Sequence, residues 1–300
     1  MDLTVGANLF FWPAATVRAF YRDLAAAPVA RLVLGEVVCS KRLPFWQGEI
    51  PAAVETLQAA GKAVALTTLA LVTLKRERRL TAALFDAGLP VEVNDLSALQ
   101  HLPQGVPFWV GPLVNVYNEG TLRWLARRGA VRICLPPELP LASVRVLCAA
   151  AQDEGVAVEV WGHGRVPLAI SARCYHARLH DRPRDACQFV CDRDPDGRDV
   201  RTLDGQAFLT VNGVQTLSHS TASMAPHVGA LRDAGVSALR LSPQSSGFAD
   251  VVSGYAGLIA GSRDPAGLVS LLQSRVPGGR LSDGFLRGEP GAGWSGAAPA

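Results

Sequence analysis

The sequence predicts an α/β protein built as a TIM-like (β/α)8 barrel, and three observations carry that reading. Short β-branched or apolar runs alternate with amphipathic stretches along most of the chain, the mark of βα units and a parallel sheet. Eight such units are present, the number a barrel needs when every crossover is right-handed. Length agrees, because 300 residues at 49% hydrophobic content bury a core large enough for one barrel or two ordinary domains. A doubly wound open sheet shows the same alternation, and periodicity alone does not separate the two.

The elements follow in order. Leu3 to Ala7 reads as the first strand, and Pro13 suits the first turn of the helix after it. Arg31 to Val38 is the second strand, with a helix near Gln47 to Ala60 that stops at Gly61. Lys62 to Thr68 is the third, followed by a basic helix around Lys75 to Ala87. Val91 to Val93 is a short fourth strand, and Asn94 or Asp95 is a natural cap for the next turn. Phe108 to Leu113 is the fifth, after which Asn118 caps a helix ending at Gly129. Ala130 to Leu135 is the sixth, with a helix from Leu141 to Glu154 that closes on Gly155. Val156 to Trp161 is the seventh, and the chain then reads as turning through Gly162, His163 and Gly164. Ser237 to Leu241 is the eighth, followed by helical segments at 247–260 and 264–275.

The seventh unit breaks the pattern with an insertion at about 175–218. Within it, Val200 to Thr202 and Ala207 to Val211 flank Leu203-Asp204-Gly205-Gln206 as a β-hairpin would. The barrel is expected to occupy 1–276, and the Gly-, Pro- and Ala-rich stretch 277–300 reads as a disordered tail. No internal repeat is visible. A net charge of +3 with only 18% charged residues argues against a nucleic-acid stripe or a membrane-surface patch. The longest apolar run, Ala63 to Leu74, is too short to span a bilayer. The opening MDLTVGANLF has an acid where a secretory signal needs a basic region, so the expected compartment is the cytoplasm. Clustered cysteines there bind metal or do redox chemistry more often than they pair.

The chemistry concentrates between Glu159 and Cys191. Cys174, Cys187 and Cys191 converge in a charged, proline-containing loop with twelve and three residues between them. Cys39 lies where the second strand runs out into its loop. In a barrel the loops after the strands share one face, so these four thiols are expected to meet above one rim as a metal site. Four thiolates take zinc or an iron–sulfur cluster. Close C-x2-C knuckles, common in structural zinc sites, are missing, and separated sulfurs suit a larger cluster. Arg173, Arg178, Arg182 and Arg184 would offset the thiolate charge. Cys134 and Cys148 read as small buried hydrophobes. His176 and His180 could ligate zinc but read first as solvated loop residues, while His163, between two glycines, is the candidate to face a substrate. Glu36, Glu92, Asn94, Asn115 and Arg240 stand at or near strand ends and could line the same face, or serve as caps and ion-pair partners.

The segment Glu159-Val-Trp-Gly-His163-Gly164-Arg-Val-Pro167-Leu-Ala-Ile-Ser171-Ala-Arg173-Cys174 resembles the signature of the U32 peptidase family. It keeps Glu159, His163, Gly164, Ser171, Arg173 and Cys174, but has Pro167 at the first cysteine position and Ala172 for a glycine. With Cys39 as the replacement thiol, the pattern is similar to the UbiV-like branch, and the likeness runs from LTVGANLFFW to SALRLSPQ. That resemblance implies a [4Fe–4S] cluster on Cys39, Cys174, Cys187 and Cys191. It also implies a UbiU-like U32 subunit as heterodimer partner and a UbiT-like lipid-binding accessory protein. The activity it implies is O2-independent hydroxylation in ubiquinone biosynthesis, with prephenate as oxygen donor. Alternatives in the same family are a zinc-stabilised peptidase and an RNA hydroxylase, and a non-catalytic redox scaffold is a third. No G-x-S-x-G elbow or H-E-x-x-H motif supports the peptidase, and the near-neutral charge speaks against RNA.

Overall fold

The computed structural model describes residues 1–296. Its strands are β1 (Asp2–Val5), β2 (Arg31–Leu34), β3 (Ala63–Thr67), β4 (Val91–Val93), β5 (Phe108–Val110), β6 (Ala130–Cys134), β7 (Ala157–Ile170), β8 (Arg198–Arg201), β9 (Ala207–Asn212), β10 (Gln215–Ser223), β11 (Ala238–Leu241) and β12 (Leu281–Ser282). Its α-helices are α1 (Ala14–Ala25), α2 (Ile50–Ala59), α3 (Lys75–Leu84), α4 (Glu119–Ala126), α5 (Leu141–Asp153), α6 (Tyr175–Arg178), α7 (Val228–Asp233), α8 (Phe248–Ile259) and α9 (Pro265–Arg275). Strands β1 to β7 pair in sequence and in parallel, and β11 closes the ring against both β7 and β1. The eight expected strands thus form a closed barrel, and the open sheet is excluded.

Strands of such a barrel are buried on both faces and read as apolar runs, as Leu32, Val33 and Leu34 of β2 do. The helices bury one stripe each, for example Val17, Tyr21 and Leu24 of α1. Asp95 and Asn118 cap their turns, accepting from the Ser97 and Thr121 N–H groups at 2.9 Å.

Polar side chains occupy the barrel interior. The Arg240 Nη2 donates to Glu92 Oε2 at 2.5 Å and to Glu159 Oε2 at 2.8 Å. Glu159 Oε1 accepts from the Thr4 hydroxyl at 2.6 Å and from Arg132 at 3.2 Å, and Asn94 donates to Glu92 at 3.1 Å. Burial alone would raise the Glu159 pKa, but Arg240, Arg132 and the Thr4 hydroxyl outweigh it and hold the carboxyl below its ordinary value. Five strands are tied through this network, which accounts for Glu92, Asn94 and Arg240 as one another's partners.

The structure corrects the sequence reading at three places. The second strand ends at Leu34 instead of Val38, because Gly35 (φ 133°) bends so close to β3 that a Cβ would lie 2.9 Å from the Thr67 methyl. The stretch Gly162-His163-Gly164 does not turn. β7 runs on to Ile170, leaves the barrel and pairs antiparallel with β10, His163 opposite Ser223. Its glycines serve close approach, since a Cβ on Gly164 (φ 126°) would fall 2.4 Å from that of Ser242. The insertion therefore grows as a sheet, β7–β10–β9–β8, whose outer pair is the expected hairpin.

The third correction is the tail from Pro277, which is ordered through residue 296. β12 pairs with β10, Leu286 is buried, and its carbonyl accepts from the Leu141 N–H at 2.8 Å. Asp283 is fully buried 2.9 Å from the ring of His227. A few buried anchors among Gly and Pro are enough to fix this segment, and bulk composition hides them. Residues 297–300 of the expected tail lie outside the described residues.

His163 lies at the point where β7 leaves the barrel and is wholly enclosed. Gln244 donates its amide hydrogens to the Ser246 and Arg275 carbonyls, so its Oε1 accepts from His163 Nε2–H at 3.0 Å. The Tyr255 ring stands edge-on at 6.0 Å, and its hydroxyl donates to the Gly162 carbonyl. Burial pulls the His163 pKa down to about 4, against the weaker opposing effect of Gln244.

Two outcomes follow. A folded-state pKa below the unfolded value means the unfolded chain binds more protons, so His163 favours the fold above its ordinary pKa and loses that advantage as pH falls from 6.5 towards 4. Urea unfolding across that window should show stability falling, and His163→Asn should flatten the slope by up to about 1.4 kcal/mol per pH unit. Arg240→Ala leaves two carboxylates unpaired inside the barrel and should cost about 3–5 kcal/mol in the same assay.

Candidate functional site

Cys39 is presented by a short, tightly held loop. Beyond the Gly35 bend, the buried Glu36 Oε1 accepts from the Val38 and Cys39 N–H groups at 2.8 and 2.9 Å. The chain then enters a 3-10 turn from Ser40 to Phe45, pinned to α3 by the Ser40 hydroxyl on Glu77 at 2.7 Å. Cys174 caps α6, its sulfur accepting from the Ala177 N–H at 3.4 Å. Cys187 follows a 3-10 turn, and Cys191 lies in the next one, Val190–Arg193. Between them Gln188 (φ 48°) and Phe189 (φ 54°) are both left-handed, a backbone cost of roughly 1–3 kcal/mol each that persists only where surroundings impose it.

The two loops bring the four sulfurs close enough for their charges to act on one another. Cys174 feels the charge of Cys39 and Cys187, and Cys191 feels Cys174 and Cys187. Burial pushes the thiols of Cys39, Cys174 and Cys191 up, and Arg42 opposes it at all three. Phe11, Phe45 and Phe189 pack together beside the site with centroids 4.6 to 6.1 Å apart.

Arg42 is the site residue that sequence reading missed. Its side chain is 1% exposed. Nη1 donates to the Leu9 carbonyl at 2.9 Å, Nη2 to Asn212 Oδ1 at 2.8 Å, and the guanidinium reaches the Cys191 thiol. Its Nε is buried with no nitrogen or oxygen partner. The available signal was spacing, because a 3-10 turn aligns residues three apart, and Arg42 stands three after Cys39. Of the arginines named from sequence, Arg184 acts on Cys39 and donates to the Ala172 carbonyl at 2.7 Å, and Arg182 bonds Gln188.

Other candidates are placed elsewhere. His163 is in the core, away from the residues that line the barrel mouth, among them Glu92, Asn94, Trp161 and Arg240. Asn115 (φ 61°) borders a cleft of about 320 Å³ on the rim with Tyr117, Glu138, Leu168 and Ile170. Cys134 and Cys148 are buried within β6 and α5. His176 is fully buried, not solvated, and its Nε2 lies 2.9 Å from Asp194 Oδ2. The hydrogen-bonded histidine rings engage Gln244, Asp194, the Gly213 N–H and Asp283.

A protein named collagenase from Porphyromonas gingivalis is 24% identical over 166 residues, which take in 51% of this chain and 39% of that protein. The chain thus spans well under half the length of the curated relative it matches. A mandelate racemase/muconate lactonizing enzyme-like protein from Rubrobacter xylanophilus superposes with a TM-score of 0.36 at 16% identity, over 53% of this chain and 46% of that one. The family model for peptidase family U32 matches residues 15–292, nearly the whole described chain. The chain belongs to peptidase family U32.

Proposed function

We propose that this chain is the [4Fe–4S]-bearing subunit of a complex that carries out O2-independent hydroxylation in ubiquinone biosynthesis, acting with a UbiU-like U32 subunit. The observation that carries the reading is the meeting of Cys39 with Cys174, Cys187 and Cys191 around the buried cation of Arg42. Close C-x2-C knuckles, common in structural zinc sites, are missing from the sequence, and four separated sulfurs suit a group larger than a single ion. When bound, a cluster supplies one-electron chemistry at a potential set by charge, hydrogen bonds to sulfur and exclusion of water. The chain brings all three influences to the site. Arg42 supplies charge, the Ala177 N–H donates to the Cys174 sulfur, and the phenylalanine group walls off one side. A UbiT-like accessory protein to deliver the lipid substrate and prephenate as oxygen donor complete the proposal.

The collagenase-named relative favours a second reading, a zinc-stabilised peptidase. That enzyme would need an activated nucleophile, and the buried histidines are engaged with Gln244, Asp194 and Asp283 instead.

The deciding measurement is iron, sulfide and zinc content of the chain purified without oxygen together with its U32 partner. About four iron and four sulfide per chain are expected, lost in Cys39→Ala and in Cys187→Ala. Zinc without sulfide would overturn the proposal in favour of the peptidase. Arg42→Met removes positive charge beside the thiolates and should lower iron content and move the midpoint potential to more negative values. Asp185→Ala, at a side chain 98% exposed, should leave both unchanged.

A further inference from the structure

The loop that carries three of the thiols also carries a set of nitrogen and oxygen donors that the thiol site leaves unused. His176 and His180 stand four apart on α6 and the turn that ends it, so both rings project from one side. They stack with centroids 5.9 Å apart and planes 13° from parallel. Asp194, three residues beyond Cys191, places Oδ2 2.9 Å from His176 Nε2. One donor atom from each of the three lies within 4.8 Å of the other two. The His180 Nε2 is buried and has no hydrogen-bond partner.

We propose that His176, His180 and Asp194 form a second metal site, distinct from the four thiols, that takes one divalent first-row transition ion through two imidazoles and a carboxylate. Donors 2.0–2.2 Å from such an ion lie about 3 Å from one another, and the His176–Asp194 pair already has that spacing. His180 has only to swing inwards. Two imidazoles with one carboxylate suit zinc or iron(II) and leave coordination positions open, whereas thiolates select softer ions and clusters. The loop would then present two sites of different softness without competition between them.

A hydrogen bond between His176 and Asp194 without metal accounts for two of the residues but leaves the bare, buried nitrogen of His180 unexplained. Binding through Nε2 moves the His176 proton to Nδ1. Without metal that nitrogen accepts from the Gly213 N–H at 3.5 Å, the outer limit of a hydrogen bond, so the exchange gives up one weak bond and turns two N–H groups towards each other. Arg198 lies 3.7 Å from the other Asp194 oxygen and helps orient the carboxylate. Because the ligands flank Cys174 and Cys191, a bound ion would brace both ends of the thiol loop.

The test is a cobalt(II) titration of the full chain, stripped of metal by chelation under anoxia and followed by visible absorption. Thiolate-to-metal charge transfer reports the four cysteines, and ligand-field bands without it report nitrogen and oxygen donors. We expect a component of the second kind that zinc displaces. His180→Ala and Asp194→Asn should each weaken it at least about tenfold. Cys187→Ser should leave it intact while removing the thiolate component, so failure of the cluster reading and failure of this one are distinguishable. Circular dichroism checks the fold of each variant, and His180→Gln at a half-exposed position carries the test if Asp194→Asn unfolds. Cobalt bound through thiolates alone, or unchanged affinity in His180→Ala, would overturn the site.

Discussion

A single buried cation, Arg42, holds together the parts of the chain on which the thiol site depends. A guanidinium taken out of water is costly unless its donors are met in fixed geometry. Here two donors are met in that way, by the Leu9 carbonyl after β1 and by Asn212 at the end of β9, while Nε has no hydrogen-bond partner. Arg42 itself rides on the turn that begins at Cys39. Its carboxylate neighbour, Glu36, stands 4.0 Å away and already accepts two backbone N–H groups. That leaves the cation incompletely balanced by oxygen, and the nearby sulfurs would supply negative charge only if a bound metal group held them as thiolates.

The barrel was legible in the sequence because parallel strands buried on both faces are largely apolar runs, as Leu32 to Leu34 are. That Cys39 and the distant Cys174, Cys187 and Cys191 should stand on one rim was expected for a topological reason, since a barrel delivers all its βα loops to one face. What escaped is equally physical. Gly162 and Gly164 look like a turn, but glycine also serves where two backbones must nearly touch, and the letters do not say which. The tail was hidden because Leu281, Asp283 and Leu286 are few among glycines and prolines. Nothing in composition marks Arg42 as a buried arginine, for burial depends on partners far along the chain.

The insertion also changes what the seventh strand does. In a plain barrel unit the strand would end at the rim and hand over to a loop. β7 instead continues beyond His163, trades barrel neighbours for β10 and carries the chain outwards to Cys174. The sheet that results is a rigid support for a loop that has little regular structure of its own, α6 being a single turn. The left-handed pair Gln188 and Phe189 can persist because Phe189 is held against Phe11 and Phe45, which belong to the barrel side.

One residue shows how closely these pieces are fitted. Gly213, in the turn between β9 and β10, has φ 62°, and a Cβ there would come within 2.7 Å of the Arg42 Nη2. Its carbonyl accepts from the His176 N–H at 3.4 Å, and its own N–H points at the His176 ring. The same peptide therefore borders the cation of the thiol site on one side and the histidine–carboxylate group on the other. A side chain at this position would be strained by the backbone and would press on Arg42 at once. The turn is thus fixed by two sites together, and the geometry of each constrains the other through it.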